Sequence, residues 1–406
     1  MAEKFLEIPW IPAAVAALYL LKKKKTAGEI IENIVKLVIG WYLILLGAGL
    51  SLNVLGGLEE KLVLSLGVHG GVINTEIFGS WLLMECRNAG FTAFLIAFLV
   101  NLLLAKWTRR GYLFLTGHHL LFLSLMSLSL IRVFLGEMSV GAVLLAGTAA
   151  GIYAYISVRI SAAAIKPFHS ASPVSLANSA AGVALLGAGI GKLCSRGGMS
   201  ERFDKKGKNT GHITSMGVLT VFCIAFILTF LQGVPELAEM QECLVEAFLY
   251  GAALTAIMQG LRMFLGLFIQ MFWDLGKEML PGLVVGLDST AVISWSPGAW
   301  HAGFLAAALT GVVTVSGLVF LKVPFVPLPG FTSLYFAGGV AGVFGNVQGG
   351  KRGAILAGAA SGIAVILLLS LFMSLNEGMG LYGASLGETE YGILGLILTA
   401  LLRLFN

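Results

Sequence analysis

Charge is scarce in this chain. Only 12% of its 406 residues are Asp, Glu, Lys or Arg, against 57% that are hydrophobic, whereas a soluble globular domain carries about 25% charged residues. That deficit excludes a soluble enzyme and leaves an all-α integral membrane protein. Cysteine offers no chemistry: Cys86, Cys194, Cys223 and Cys243 show no metal or redox spacing and lie in or beside apolar runs, which excludes a disulfide framework or a zinc site. A Walker loop, a kinase signature and a nucleophile–histidine pair are all missing, so no catalytic residue, metal or cofactor is expected. A cleavable signal is not expected, since Lys22, Lys23, Lys24 and Lys25 follow the first apolar run instead of preceding it and no A-x-A site appears. The formal charge of +5 comes with clustered cations that read as topology signals, and no nucleic-acid partner is expected.

What the chain has instead is glycine, fifty-three of them, and small residues let helices approach closely in lipid. It also has long apolar runs. A spanning helix needs about 20 apolar residues, and cytoplasmic loops collect Lys and Arg. On these rules residues 6–21 end inside at the lysine tetrad, which puts the N-terminus outside. Residues 30–53 run out to Glu59 and Glu60, and residues 88–105 return to Lys106, Arg109 and Arg110. Residues 66–87 then cannot cross without breaking the charge pattern. Their glycines, with Asn74, Thr75 and Glu76, predict a re-entrant hairpin entered from outside.

Residues 112–134 go out and 140–158 come back. Residues 167–193 begin and end at positive charge, which predicts a second re-entrant element, from inside, carrying Asn178 and Ser179. Residues 213–231 and 244–271 form the next pair of spans, and a third hairpin occupies 280–299. Spans at 302–321, 328–348, 354–373 and 393–405 follow, with Glu377, Glu388 and Glu390 read as outer-face charges. The expectation is about eleven transmembrane helices with a cytoplasmic C-terminus and no soluble domain. The order span, span, hairpin, span, span, span occurs twice with opposite orientation, in residues 1–212 and 213–406. Inverted repeats with paired discontinuous helices place a transporter's binding site at the repeat interface.

Asp288 is the only ionisable residue between Glu278 and His301. A carboxylate at membrane depth costs about 3 kcal/mol or more without a partner or water, and marks a substrate or ion path. Asn74 stands ahead of Gly117 at nearly the spacing that separates Asp288 from Gly330. The two hairpins, with Thr75 and Glu76 on one and Asp288 on the other, are therefore expected to face each other across a solute. Carboxylates, hydroxyls and amides suit a hydroxyl-rich ligand, and the same oxygens suit a sodium ion or a proton. His118 and His119 add two adjacent imidazoles that point in different directions around a helix. The basic stretches at 22–25 and 205–208 read as lipid-facing or solvated patches, with docking of a cytoplasmic partner as the alternative.

An ordered series of motifs then resembles one family. Phe98-Leu-Val-Asn-Leu-Leu-Leu-Ala-Lys-Trp-Thr108, Tyr112-Leu-Phe-Leu-Thr-Gly-His118 and Gln259-Gly-Leu-Arg-Met-Phe264 are followed by Leu280-Pro-Gly, Leu287-Asp288, Ser296-Pro-Gly-Ala299, Leu328-Pro-Gly-Phe331 and Gly342-Val-Phe-Gly-Asn346. Together they are similar to the membrane subunit (enzyme IIC) of the ascorbate-type phosphotransferase system. The resemblance implies an elevator-type homodimer in the bacterial cytoplasmic membrane, whose dimerising parts and substrate-carrying core are interleaved in the chain. It implies transport of L-ascorbate or a related sugar acid, polyol or sugar, phosphorylated by a separate cytoplasmic IIB subunit fed by IIA and the histidine phosphocarrier. Thr75, His118 and Asp288 match the family's ligand positions. Glu76 stands where a tyrosine is expected, Phe122 where a glutamine is, and Asn178-Ser179 where His-Gln is. A sodium- or proton-coupled secondary transporter, with Glu76 and Asp288 as the ion site, is the alternative.

Overall fold

The computed structural model describes residues 9–165, 174–177, 180–195, 201–203, 213–293, 295–379 and 383–405. Among them are twelve α-helices, one short 3-10 helix (Glu377–Met379) and six short strands. In chain order these are α1 (Trp10–Lys22), α2 (Ala27–Leu66), β1 (His69–Ile73), α3 (Thr75–Trp107), β2 (Tyr112–Leu113), α4 (Gly117–Leu135), α5 (Val140–Ile165), β3 (Val174–Leu176) and α6 (Ala181–Ser195). They continue with α7 (Ile213–Gln232), α8 (Leu237–Met279), β4 (Val284–Leu287), α9 (Ser289–Ile293), α10 (Pro297–Phe320), β5 (Phe325–Leu328), α11 (Phe331–Leu375), β6 (Gly383–Ser385) and α12 (Thr389–Phe405). Seven of the described helices, α2, α3, α4, α5, α8, α10 and α11, are long and apolar enough to cross a membrane. The chain is an all-helical integral membrane protein.

Several helices outrun the spans expected from hydropathy. α2 has 40 residues, about 60 Å at 1.5 Å per residue, where a bilayer core is about 30 Å thick. It begins at a capping box, in which Glu29 N–H donates to Thr26 Oγ1 at 3.3 Å and Thr26 N–H to Glu29 Oε2 at 2.9 Å. No stop signal follows Asn53; Gly56 and Gly57 lie within the helix, which ends only at Gly67, left-handed at φ 66°. α2 runs against α8, itself 43 residues long. A Cβ on Gly40 would lie 2.7 Å from Phe264 N, and one on Gly260 2.6 Å from Gly40 O. Glycine is what permits this backbone approach.

Two long helices are broken. α11 is interrupted at Gly350 (φ 60°, ψ −153°), a region essentially reserved for glycine. α3 is interrupted at Arg87 (φ 33°, ψ −122°), where an L side chain is strained. Arg87→Gly is therefore expected to stabilise the fold by about 1 kcal/mol, read as a rise of a few degrees in the Tm of the purified protein. A fall in Tm would show that the Arg87 side chain contributes more than its backbone costs.

The strands were not foreseen in an all-α reading. They form two three-stranded sheets, ordered β5-β1-β6 and β2-β4-β3, and every pairing is parallel. Non-helical backbone is tolerated at membrane depth only where protein or water satisfies it, and these ladders supply partners for the segments that precede α3, α9 and α11. None is longer than the five residues of β1, too short for an alternating pattern to stand out from the surrounding apolar sequence.

Candidate functional site

The site is built where strands hand over to helices. At the end of β1, Asn74 donates its N–H to Ser385 O (2.9 Å) and caps α3 by accepting from Ile77 N at 2.9 Å. Thr75 opens the helix, fully buried. Its hydroxyl donates to Glu388 Oε2 and accepts from Gly387 N at 2.9 Å. Glu76 follows, also buried. Ser333, in the first turn of α11, donates to Ile73 O at 2.9 Å, so the ends of β1, β6 and β5 come together around Thr75.

Asp288 occupies the matching junction between β4 and α9, where its Oδ1 accepts from the Ser289 hydroxyl at 3.1 Å. His118 and His119 lie in the first turn of α4, their ring centroids 4.2 Å apart. His118 Nε2 is 3.9 Å from Asp288 Oδ2. These two side chains are 27% and 31% exposed, so the pair is only half-buried. His119 is buried, with Nδ1 3.2 Å from the Tyr391 hydroxyl. The ligating atoms of His118, His119 and Asp288 all lie within 4.8 Å of one another, an arrangement of nitrogen and oxygen donors able to hold a cation.

Phe122, one turn further along α4, forms an apolar wall. It is fully buried, its ring centroid is 6.3 Å from that of His118, and a Cβ on Gly79 would meet its ring at 2.1 Å. Gly79 in α3 is thus what lets α4 close on the Thr75 junction. Thr75, Glu76, His118, His119, Phe122 and Asp288 belong to this region of the fold. Asn178 and Ser179 lie outside the described residues.

Glu388 and Glu390 correct the charge reading. Expected as outer-face markers, both are buried. Glu390 accepts from the N–H of Gly182, at the start of α6, and from the Thr389 hydroxyl at 2.8 Å. A carboxylate there answers the unpaired N–H groups and positive end of a helix. Counting charges along a chain treats an acid at the end of an apolar run as solvated; nothing local shows that a helix terminus and a threonine wait for it. Tyr391, Ser333 and the two acids touch candidate-site residues or their backbone without having been singled out in the sequence; for Glu388, Glu390 and Tyr391 a signal lay in the density of polar groups in Gly387-Glu-Thr-Glu-Tyr391.

The Gly342-Val-Phe-Gly-Asn346 signature serves contacts between helices. Cβ atoms on Gly342 and Gly345 would lie 2.4 Å from Ala299 O and 2.3 Å from Gly353 O. Asn346 accepts from Phe203 N–H at 3.1 Å and donates to Ser296 Oγ at 3.3 Å.

Comparison with known proteins agrees with this architecture. Residues 9–390 match the family model described as the sugar-specific permease component of the PTS system. Over 125 residues the chain is 33% identical to the ascorbate-specific PTS system EIIC component of Mycoplasma pneumoniae, a match covering 29% of this chain and 19% of that protein. A multi-pass membrane fold, and a family match running almost from end to end, lead to one assignment: the chain belongs to the sugar-specific permease components of the phosphotransferase system.

Proposed function

We propose that this chain is the IIC permease of a phosphotransferase complex. It binds a small sugar acid, polyol or sugar between the Thr75 and Asp288 junctions and carries it inward for phosphorylation by a cytoplasmic IIB subunit, which IIA and the histidine phosphocarrier supply. The observation that carries this reading is the partly exposed His118–Asp288 pair, 3.9 Å apart, on a helix, α4, whose Phe122 packs against Gly79 of α3, one turn beyond Thr75. Thr75, Glu76, His118, His119 and Asp288 supply the hydrogen-bonding groups that a hydroxyl-rich solute needs, and Phe122 closes one wall.

Residues 1–212 and 213–406 are two inverted repeats. In support, each half runs helix, long helix, strand, a divided helical stretch (α3, kinked at Arg87; α9 and α10), strand, a second helical pair (α4 and α5; the two pieces of α11), strand, helix. The sheets add to it: β4 of the second half lies between β2 and β3 of the first, and β1 of the first lies between β5 and β6 of the second. A two-fold axis between the halves would make Thr75 and Ser289 equivalent. The long helices α2 and α8 form the frame of a homodimer, and the core holding both sheets moves as a rigid body in elevator fashion. The protein sits in the bacterial cytoplasmic membrane with its N-terminus outside and its C-terminus inside.

The donor set of His118, His119 and Asp288, with Glu76 close by, favours a second reading, a sodium- or proton-coupled carrier. Transport into membrane vesicles separates the two. The permease reading expects labelled solute to accumulate only as its phosphate ester and only when phosphorylated IIB is supplied. Accumulation of unmodified solute, driven by a sodium or pH gradient, would replace it with the coupled carrier.

A further inference from the structure

β2 and β4 lie side by side, with Leu113 opposite Val285, and each strand runs into a helix within a few residues. That pairing sets the first turn of α4 against the junction between β4 and α9, and so gathers metal-ligating side chains from distant parts of the sequence. Successive side chains on a helix diverge by about 100°, yet the rings of His118 and His119 have centroids 4.2 Å apart. A ring nitrogen of each and an Asp288 oxygen all lie within 4.8 Å of one another.

The donor types select the ion. Imidazole nitrogen suits zinc, copper, nickel and iron, whereas magnesium and calcium take oxygen ligands. Two imidazoles and a carboxylate make a three-ligand set that leaves a fourth tetrahedral position for water. Ligands bound to one zinc-sized ion at about 2.0–2.1 Å lie about 3.3 Å from each other. The 3.9 Å between His118 Nε2 and Asp288 Oδ2 closes to that with a shift of about half an ångström.

The surroundings hold these side chains in place. The Tyr391 hydroxyl, 3.2 Å from His119 Nδ1, restrains that ring. The Ser289 hydroxyl donates to Asp288 Oδ1 at 3.1 Å, while Oδ2 faces His118. Phe122, fully buried with its ring centroid 6.3 Å from that of His118, backs the cluster with an apolar surface. Partners that orient the ligands, and an apolar shell that limits water, both strengthen metal binding. His118 and Asp288 are nevertheless partly exposed, so the pair borders space that water or an ion can occupy.

We propose that His118, His119 and Asp288 form a binding site for one divalent transition-metal ion of the zinc class. The site does not depend on which solute the protein carries.

The test uses tag-free, full-length protein in nanodiscs, stripped of metal with EDTA and titrated with Co2+ in excess Mg2+. Cobalt(II) replaces zinc in such sites and reports its ligands through visible absorption. The expected result is a single ion per chain, displaced by Zn2+, with the absorption of nitrogen and oxygen ligands and without the intense band that ligation by cysteine thiolates would give. His118→Gln, His119→Gln and Asp288→Asn are each expected to weaken binding at least about tenfold. His69→Gln and His301→Gln, which change histidines placed against Glu59 and Pro297 O, are expected to leave it unchanged. Asp288→Asn keeps its hydrogen bond from Ser289, and it decides the matter if a histidine variant does not melt as a folded protein. Failure to bind Co2+ in excess Mg2+, or wild-type affinity in any one of the three site variants, overturns the site. No solute enters this titration, so either result leaves the permease reading where vesicle transport puts it.

Discussion

Gly303→Val is expected to destabilise the protein by about 3 kcal/mol or more, near the upper end of what overpacked positions cost. Gly303 is where α10 meets both pieces of α11. A Cβ there would lie 2.2 Å from Gly338 O and 2.7 Å from Gly342 Cα, and one on Gly358 would lie 2.3 Å from Gly303 O. These neighbours are backbone atoms of three helical segments, so no side chain can rotate away; the helices must separate. In lipid, separation forfeits the packing that holds helices together, because lipid tails offer no hydrophobic drive to restore it. Gly317→Val, on the same helix but with no atom within 4 Å of its Cβ, is the control. Thermal melting of the two variants reads the difference: a Tm for Gly303→Val many degrees below that of Gly317→Val is expected. Equal melting points would mean that α10 is not wedged against α11 as described.

The glycines explain why much of this fold was legible in the sequence and part of the site was not. Scarce charge and long apolar runs were enough to establish a multi-pass helical membrane protein, and Asp288 stood out because it is the only ionisable residue between Glu278 and His301. Its meeting with His118 rests on β2 and β4 lying side by side, a pairing between residues far apart in the chain that no local pattern records. Helix ends were misjudged for a related reason. Hydropathy places a boundary where apolar sequence thins, as at Asn53, but the backbone stops where a residue such as Gly67 turns left-handed. Glu388 and Glu390 were misplaced because burial of a carboxylate depends on donors that other elements bring, here Thr75 and the start of α6. Thr75 and Glu76 stand out through their polar density, and the equal density in residues 387–391 follows an apolar run, where acids also suit an outer-face label.

Asp288→Asn is expected to weaken substrate binding at least about 100-fold while leaving the Tm nearly unchanged. Asparagine has the same shape, and its oxygen still accepts from Ser289, so the junction between β4 and α9 keeps its local hydrogen bond. What disappears is the charge facing His118 across 3.9 Å and the acceptor strength of a carboxylate toward substrate hydroxyls. A hydrogen bond to a charged group contributes about 1.5–3 kcal/mol, so losing two of them exceeds the 2.8 kcal/mol or so that corresponds to 100-fold in affinity. Binding of the substrate to purified wild type and variant measures it directly, and affinities within threefold would remove Asp288 from the site. The same variant also separates the two transport readings. If Asp288 holds hydroxyls, Asp288→Asn lowers affinity equally at every sodium concentration and pH. If it holds an ion, the solute still binds at high concentration, but the sodium or pH dependence vanishes, because the group that coupled ion to solute no longer carries charge.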